Sequence, residues 1–400
     1  MSMTDILILP KAGRYMNPAN ESDALPHPYG NMYENATGGA WIAPCIDTLN
    51  YVYCAAAWRT TGTSYAVYDA GGLVPSWKYS YNFNTNYESQ GVITTIQFSI
   101  PPSGNVTVAA TGKYVSGSLI TNPIDILEDL YDYAESLGVS LPEKDLTAFA
   151  QAKYACSQKS YTCAGVMLSD QSVASWFSQI LASFLGEWWL SGEDKIFVRV
   201  DTNLLNPEEA QGPIYERTTQ RITGTQSLAN LVNSCPVNYA MDLTNSDKRF
   251  KEGVNASYFM FDDGATTQDA ESIAKYGERM PQSVIGLDWT RNATTARAIQ
   301  ARIVEKFAEP SWIYDVLENG FQHVHLEVGD FCLFNWEERF DEVGNPMRNQ
   351  IAQILTEDID MDNETIFWQL RDTRTFWPGN PDIYDGTCTA GDGRSFGGDR

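Results

Sequence analysis

Near residue 120 the spacing of apolar residues changes period, and this change limits what the chain can become. Residues 64–68 and 93–100 alternate apolar with polar, the two-residue period of a half-buried strand. From Asn122 onward apolar residues recur every three or four positions, the period of an amphipathic helix. After residue 312 the two-residue period returns. Strands, then helices, then strands exclude a single sheet, a helical bundle and a repeat array, and leave a multidomain, β-rich α+β chain.

In the first β stretch, Ala70-Gly71-Gly72 and Pro101-Pro102-Ser103-Gly104 are turns, and Val106, Val108 and Tyr114 continue the alternation. This predicts a small β-sandwich-like domain over 61–118. Residues 1–60, rich in Asn, Pro, Gly and Tyr, are expected to be irregular with short strands, notably over 48–58. The helical part opens on Asn122 as cap and Pro123 as first helical residue, with Asp125 and Glu128 near the first turn. Ile124, Leu127, Leu130, Tyr131, Ala134 and Leu137 form its face, and Gly138 stops it. Two further helices are expected, over 146–157 and from about Asp170 to Gly186, followed by a hairpin around 191–194. Together these make a helical domain over 119–206.

A linker-like stretch near 207–212 leads into an α+β domain, 207–318. Its candidate strands are 214–222, 237–243 and 257–261, with a helix over 293–307. The expected β domain, 319–376, has strands at 323–328, 331–336, 349–355 and 365–371, preceded by one at 312–317, and these strands are read as barrel-like. Residues 377–400 form a flexible, acidic, Gly-rich tail.

With 27 Lys and Arg against 51 Asp and Glu, the net charge of −24 repels nucleic acid and anionic membranes. The excess is concentrated late: residues 321–400 hold sixteen acids and six Arg, a net of −10, and Lys306 is the last lysine. That charge serves solubility, or it forms a wall past which DNA slides without sticking. Aromatic content of 12%, with 11 Trp and 21 Tyr, suits subunit interfaces as well as β-rich cores. The seven cysteines match no common zinc spacing; Cys156 and Cys163 could pair, and several others, in apolar runs, read as buried thiols in a reducing compartment. Ile6 to Leu9 is too short for a signal peptide, and no apolar run is long enough to span a membrane.

Several blocks together resemble a known family. Asn122-Pro123-Ile124-Asp125-Ile126-Leu127 is similar to the "NPADIL" helix start of siphophage tail-tip or baseplate-hub proteins, the group of the lambda-like tip attachment protein. Tyr161-Thr162-Cys163-Ala164-Gly165-Val166, Asp170 to Ser175, and Trp188 to Lys195 resemble that group's next strand, helix and hairpin, in the same order. Residues 293–309 before Pro310 resemble a later helix, and His325-Leu326-Glu327-Val328-Gly329-Asp330-Phe331-Cys332 a later strand. The likeness covers about 119–375; within 1–60, His27-Pro28-Tyr29-Gly30 resembles a segment of related tail proteins. Proteins of this group are often longer, so the expectation is a minimal hub or a hub-like paralogue.

The resemblance implies a tail-hub-like fold and a structural, non-enzymatic subunit of the virion's tail tip, assembled in the host cytoplasm. It implies self-association as a trimeric ring, and contacts with tube or distal-tail, fibre and spike proteins. DNA would pass without specific binding. A carbohydrate- or receptor-binding tail module is the alternative, and an envelope-degrading hydrolase a more distant one.

No catalytic, cofactor-binding or metal residue is assigned. His323, His325 and Glu327 would share one face of a strand and could hold a divalent ion, though a polar strand face backed by Val324, Leu326 and Val328 is the plainer reading. The carboxylates between Asp358 and Glu364 have calcium-loop spacing but put Asn363 where an EF-hand needs Gly, so an acidic hairpin turn is expected. Asp262-Asp263 and Glu337-Glu338 are carboxylate pairs of a kind too common on loops to indicate a glycosidase.

Overall fold

The computed structural model describes residues 24–33, 39–60, 64–87, 91–169, 171–201, 210–215, 218–226, 228–244, 270–340 and 346–372. The expected strand 257–261 and the tail 377–400 lie outside them. No helix among the described residues is long and apolar enough to cross a membrane.

Two four-stranded sheets form a sandwich. One runs Trp41–Ile42, Val106–Ala110, Tyr65–Asp69, Gly72–Leu73, and the other Cys45–Asp47, Val52–Ala56, Val92–Phe98, Tyr79–Asn86. Trp41, Val67, Ile96 and Val108 are buried between them, and the Trp41 indole donates across the gap to the Ala55 carbonyl at 3.0 Å. The strand expected over 48–58 is shorter, Val52–Ala56, because residues 48–51 are a turn. Asp47 Oδ1 accepts from the N–H groups of Leu49 (2.9 Å) and Asn50 (3.0 Å), Asn50 Nδ2 donates to Oδ2 at 2.7 Å, and Tyr51 takes φ +51. A side chain that satisfies two backbone donors turns the chain, and the strand begins only beyond it, pairing back on Cys45–Asp47. The same Asp-x-x-Asn turn closes a second hairpin at Asp360 to Asn363, followed by Glu364 at φ +52.

The helices are α1 (Pro123–Ser136), α2 (Leu146–Gln158) and α3 (Val173–Ala182). Asn122 caps α1 through the Ile124 N–H (2.9 Å), Asp145 caps α2 and Ser172 caps α3. The predicted face of α1 is buried except for Leu137, which is 49% exposed because it lies past the last turn as C-cap. Asn122→Ala is expected to cost about 1 kcal/mol and to lower the melting temperature by a few degrees. Asn122 also donates to the Lys153 carbonyl of α2 (3.2 Å), so an unchanged melting temperature would mean that neither contact contributes.

Residues 228–244 and 270–308 return to this helical core. Strands Val237–Tyr239 and Ile285–Leu287 pair in parallel, α4 (Ala270–Tyr276) follows the gap in description, and α5 (Ala293–Phe307) puts Ala296, Ile299 and Ile303 into the cluster that α1, α2 and α3 share. The strand expected over 237–243 ends at Tyr239, where Ala240 takes φ +59.

The last unit is a six-stranded sheet in the order Ala210–Tyr215, Phe331–Phe340, Pro346–Asp360, Thr365–Asp372, Trp312–Asn319, Thr219–Gln226. The expected strand 214–222 is therefore two strands, on opposite edges. In a flat sheet those edges would stand about 24 Å apart, five spacings of about 4.8 Å. The four residue steps from Tyr215 to Thr219 span at most about 14 Å. The sheet must curl until its edges approach, which makes it barrel-like. Trp368, Tyr314, Phe334 and Leu370 fill its interior. The sheet takes strands from both sides of residue 319.

Candidate functional site

Three junctions hold the units together, and the sequence blocks singled out above meet in them. At the first, His27–Tyr29 pairs antiparallel with Gly165–Met167. The packing there is backbone against backbone. A Cβ on Gly30 (φ +68) would lie 2.1 Å from the Cys163 carbonyl oxygen, and one on Gly165 2.4 Å from the Trp289 ring. Cys163 N–H donates to Thr121 O (2.7 Å), Ala164 N–H to Trp289 O (2.9 Å), and Thr162 N–H to the Thr295 hydroxyl on α5 (3.2 Å). Segments from 27–30, 121–127, 161–166 and 289–295 thus share one joint.

At the second, the hairpin Gly186–Leu190/Lys195–Val200 docks on the barrel. The Arg199 guanidinium donates to Gly329 O and to Glu187, and lies over the rings of Trp189 (5.3 Å) and Phe331 (4.3 Å). Glu187 also accepts from Gln353 (3.0 Å), whose oxygen accepts from Arg371 (2.6 Å). Gly192 N–H donates to Glu327 at 2.8 Å. Gly329 takes φ +101, a conformation that favours glycine, and the Asp330 carboxylate accepts from the Glu327 N–H at 2.9 Å, which closes the turn. Burial raises the Asp330 carboxyl above its usual range.

The third junction is ionic. Asp201, just after the hairpin, accepts from Arg302 Nε (3.0 Å) and Nη2 (2.8 Å) and from Lys306, both on α5. Nothing in the sequence pattern links positions 101 residues apart, and this cluster was not foreseen.

His323, His325 and Glu327 do not form the expected face. Residues 320–330 are a chain of turns, with the Leu326 N–H donating to His323 O (2.9 Å). His323 points inward to Glu318, which is fully buried and also accepts from the Trp368 indole (3.0 Å). His325 is exposed, Glu327 is engaged with Gly192, and Val324 and Val328 are exposed, so only Leu326 of the expected backing is buried. The carboxylates of 358–364 stand on an exposed hairpin turn. Hydrogen bonds from Asn363, first from its side chain, hold the Asp360 carboxyl below its usual range.

Asp262 and Asp263 lie outside the described residues, as do the side chains of Glu337 and Glu338. The six described cysteines are free thiols, so Cys156 and Cys163 do not pair, and Cys388 lies outside the description. Among the described residues no group of three or more His, Cys, Asp or Glu is placed to hold a metal ion.

The sequence also gave no sign of what surrounds His27. Its Nδ1 is 2.8 Å from the Leu25 carbonyl, the Trp58 ring stands edge-on at 4.6 Å, and Nε2 is buried without a partner. Burial pushes its pKa down to about 3. These arrangements position units against one another, and none assembles a nucleophile with a base.

No protein-family model matches the chain, and no curated protein matches it. Among solved structures it is similar to prophage tail protein gp18 from Listeria monocytogenes, with 12% identity, a TM-score of 0.34, and 84% of this chain and 87% of that one covered. It is similar to the 43 kDa tail protein of prophage MuSo2 from Shewanella oneidensis, with 8% identity, a TM-score of 0.35, and 76% and 97% covered. A tail protein from Neisseria meningitidis follows, with 11% identity, a TM-score of 0.28, and 78% and 99% covered. At TM-scores this low the likeness establishes neither a shared fold nor a shared role.

Proposed function

We propose that this chain is a structural subunit of a bacteriophage tail tip, a hub-like protein that joins the tail tube to fibres or a spike. It works by assembly: copies form a ring, three being the expected number, around a path that DNA crosses without being bound. The observation that supports this most is the convergence of the hub-like sequence blocks. Segments scattered from His27 to Cys332 meet at two joints, so the resemblance follows one spatial arrangement and not unrelated local patterns. The net charge of −24 agrees, because a wall that attracted DNA would gain counterion-release affinity and slow its passage.

The test is imaging of intact particles with the chain labelled, together with mass measurement of the released assembly. The expected result is label at the tail tip and a mass of three chains. A single copy per particle, or label elsewhere, would overturn the reading.

A further inference from the structure

A cleft of about 220 Å³ opens at one end of the sandwich, lined among others by Asp69, Gly72, Leu73, Lys78, Ile100 and Pro101. Its charges come as a pair. The Asp69 carboxylate accepts from the Ser103 N–H (2.7 Å), the Ser103 hydroxyl (2.8 Å) and the Gly104 N–H (2.8 Å). Slight burial would raise its pKa, but those hydrogen bonds and the Lys78 charge hold it below the usual carboxylate range. A carboxylate offers about four acceptor positions, so these donors leave room for another. The Lys78 ammonium brings donors to the same cleft.

Beside the cleft stands Trp77, 76% exposed. It is the middle residue of a single 3-10 turn, Ser76–Lys78, entered through Pro75 and closed by the Lys78 N–H on the Pro75 carbonyl (2.9 Å). The Lys78 carbonyl accepts from the Ser99 N–H and the Ser99 hydroxyl, both at 3.0 Å. That ties the turn to the loop carrying Ile100, Pro101 and Pro102. The Lys78 ammonium lies 5.3 Å from the centroid of the Trp77 ring, so the indole borders the cleft. A large flat ring is left in water on a backbone already fixed, and a ligand that meets it has little ordering to offset.

These features select the ligand. An ion of either sign would meet one like charge. An aliphatic chain would desolvate Asp69 and Lys78 and give them no partner. The volume lies below the about 300–1,000 Å³ of pockets for drug-sized ligands and suits a single ring. A neutral sugar ring offers C–H groups on one face for the indole, and hydroxyls around its rim that both donate and accept.

We propose that this end of the sandwich binds a neutral pyranose ring of a glycan, stacked on Trp77 with its hydroxyls donating to Asp69 and accepting from Lys78. The site adds recognition to the structural role proposed above, and it does not depend on ring formation.

The test applies the full-length chain to an array of immobilised bacterial oligosaccharides. In parallel, the methyl glycosides of glucose, galactose, N-acetylglucosamine and rhamnose are followed by saturation-transfer NMR. The wild-type chain is expected to bind a neutral glycan in one of the two forms. Either form supports the site, and competition between them separates a surface polymer from a free sugar. Trp77→Ala is expected to weaken binding about tenfold, and Trp77→Phe, which keeps a flat ring, by less. Both variants should keep the wild-type circular dichroism, because the side chain is exposed. No neutral glycan bound in either form, or binding unchanged in Trp77→Ala, would overturn the proposal. Binding confined to acidic glycans and lost in Lys78→Met would also overturn it, and would make the cleft an anion site. So would adsorption to phosphatidylcholine vesicles that Trp77→Ala abolishes, with no glycan bound, which would make it a membrane contact.

Discussion

Asp201→Ala is expected to destabilise the folded chain by about 3–5 kcal/mol, the effect of removing one partner from a buried ion pair. The Asp201 carboxylate faces a guanidinium that is 4% exposed and an ammonium that is 13% exposed. Burial alone would raise its pKa, but Arg302 and Lys306 outweigh burial and hold it below the usual carboxylate range. Lys306 responds in the opposite way, with burial drawing it below the usual ammonium range despite Asp201. Arg302, which brings two N–H groups to Oδ1, is therefore the stronger partner. Alanine would leave Lys306 without this carboxylate and Arg302 with only Glu305, at 3.3 Å, in the joint between hairpin and α5. Replacing all three residues by apolar side chains of similar size should cost far less, because the one charge left behind, Glu305, is 36% exposed and hydrated. Denaturant unfolding of the single and triple variants checks this. A loss below about 1 kcal/mol for Asp201→Ala, the range of exposed pairs, would mean that water reaches the cluster.

His27 should make the fold acid-sensitive. In the unfolded chain the imidazole titrates near its model value of 6.5, and in the folded chain burial holds it near 3. Above pH 6.5 both states are neutral and His27 contributes nothing to the pH dependence. Between 6.5 and 3 only the unfolded chain takes up the proton, so each pH unit costs about 1.4 kcal/mol of stability. The Leu25 carbonyl opposes this shift and the charge of Lys113 reinforces it. Unfolding free energies at pH 7.5, 6 and 5, for wild type and His27→Phe, isolate the effect from the other titrating groups. The wild type should lose about 1.4 kcal/mol more than the variant between pH 6 and 5; parallel losses would show that His27 is protonated in place.

How much of this was legible follows from how local the signals are. Helix α5 was read from residue 293 to 307, and α1 from its Asn-Pro start, because caps and a 3.6-residue period lie within a few positions of one another. The Asp47 turn was missed because Thr48 to Tyr51 alternates polar with apolar and runs straight into the apolar stretch 51–58, with no Gly or Pro to mark a break. The 323–328 segment alternates as well as any strand, yet Phe331–Phe340 is already paired with Ala210–Tyr215 and Pro346–Asp360, while Glu318 draws His323 inward. The split of 214–222 between two sheet edges, and the junctions at Asp201 and Arg199, depend on partners far along the chain, from Trp312 onward or, for Asp201, at Arg302. The blocks that carried the family resemblance marked the first two joints, and of the ionic one they held Arg302 and Lys306 but not Asp201.

The two barrel edges joined by three residues also bear on how the protein is made. Ala210–Tyr215 and Thr219–Gln226 leave the ribosome early, but every strand that pairs with them lies between Trp312 and Asp372. At about 5–20 residues per second, that wait lasts roughly 5–30 s. The sandwich needs nothing beyond Ala110 to pair its strands, and the helical core is complete at α5, so both can close first. The barrel closes last, over long sequence separations that slow folding. Until then two strand edges stay open together, and a chain truncated before Trp312 would keep them open for its lifetime.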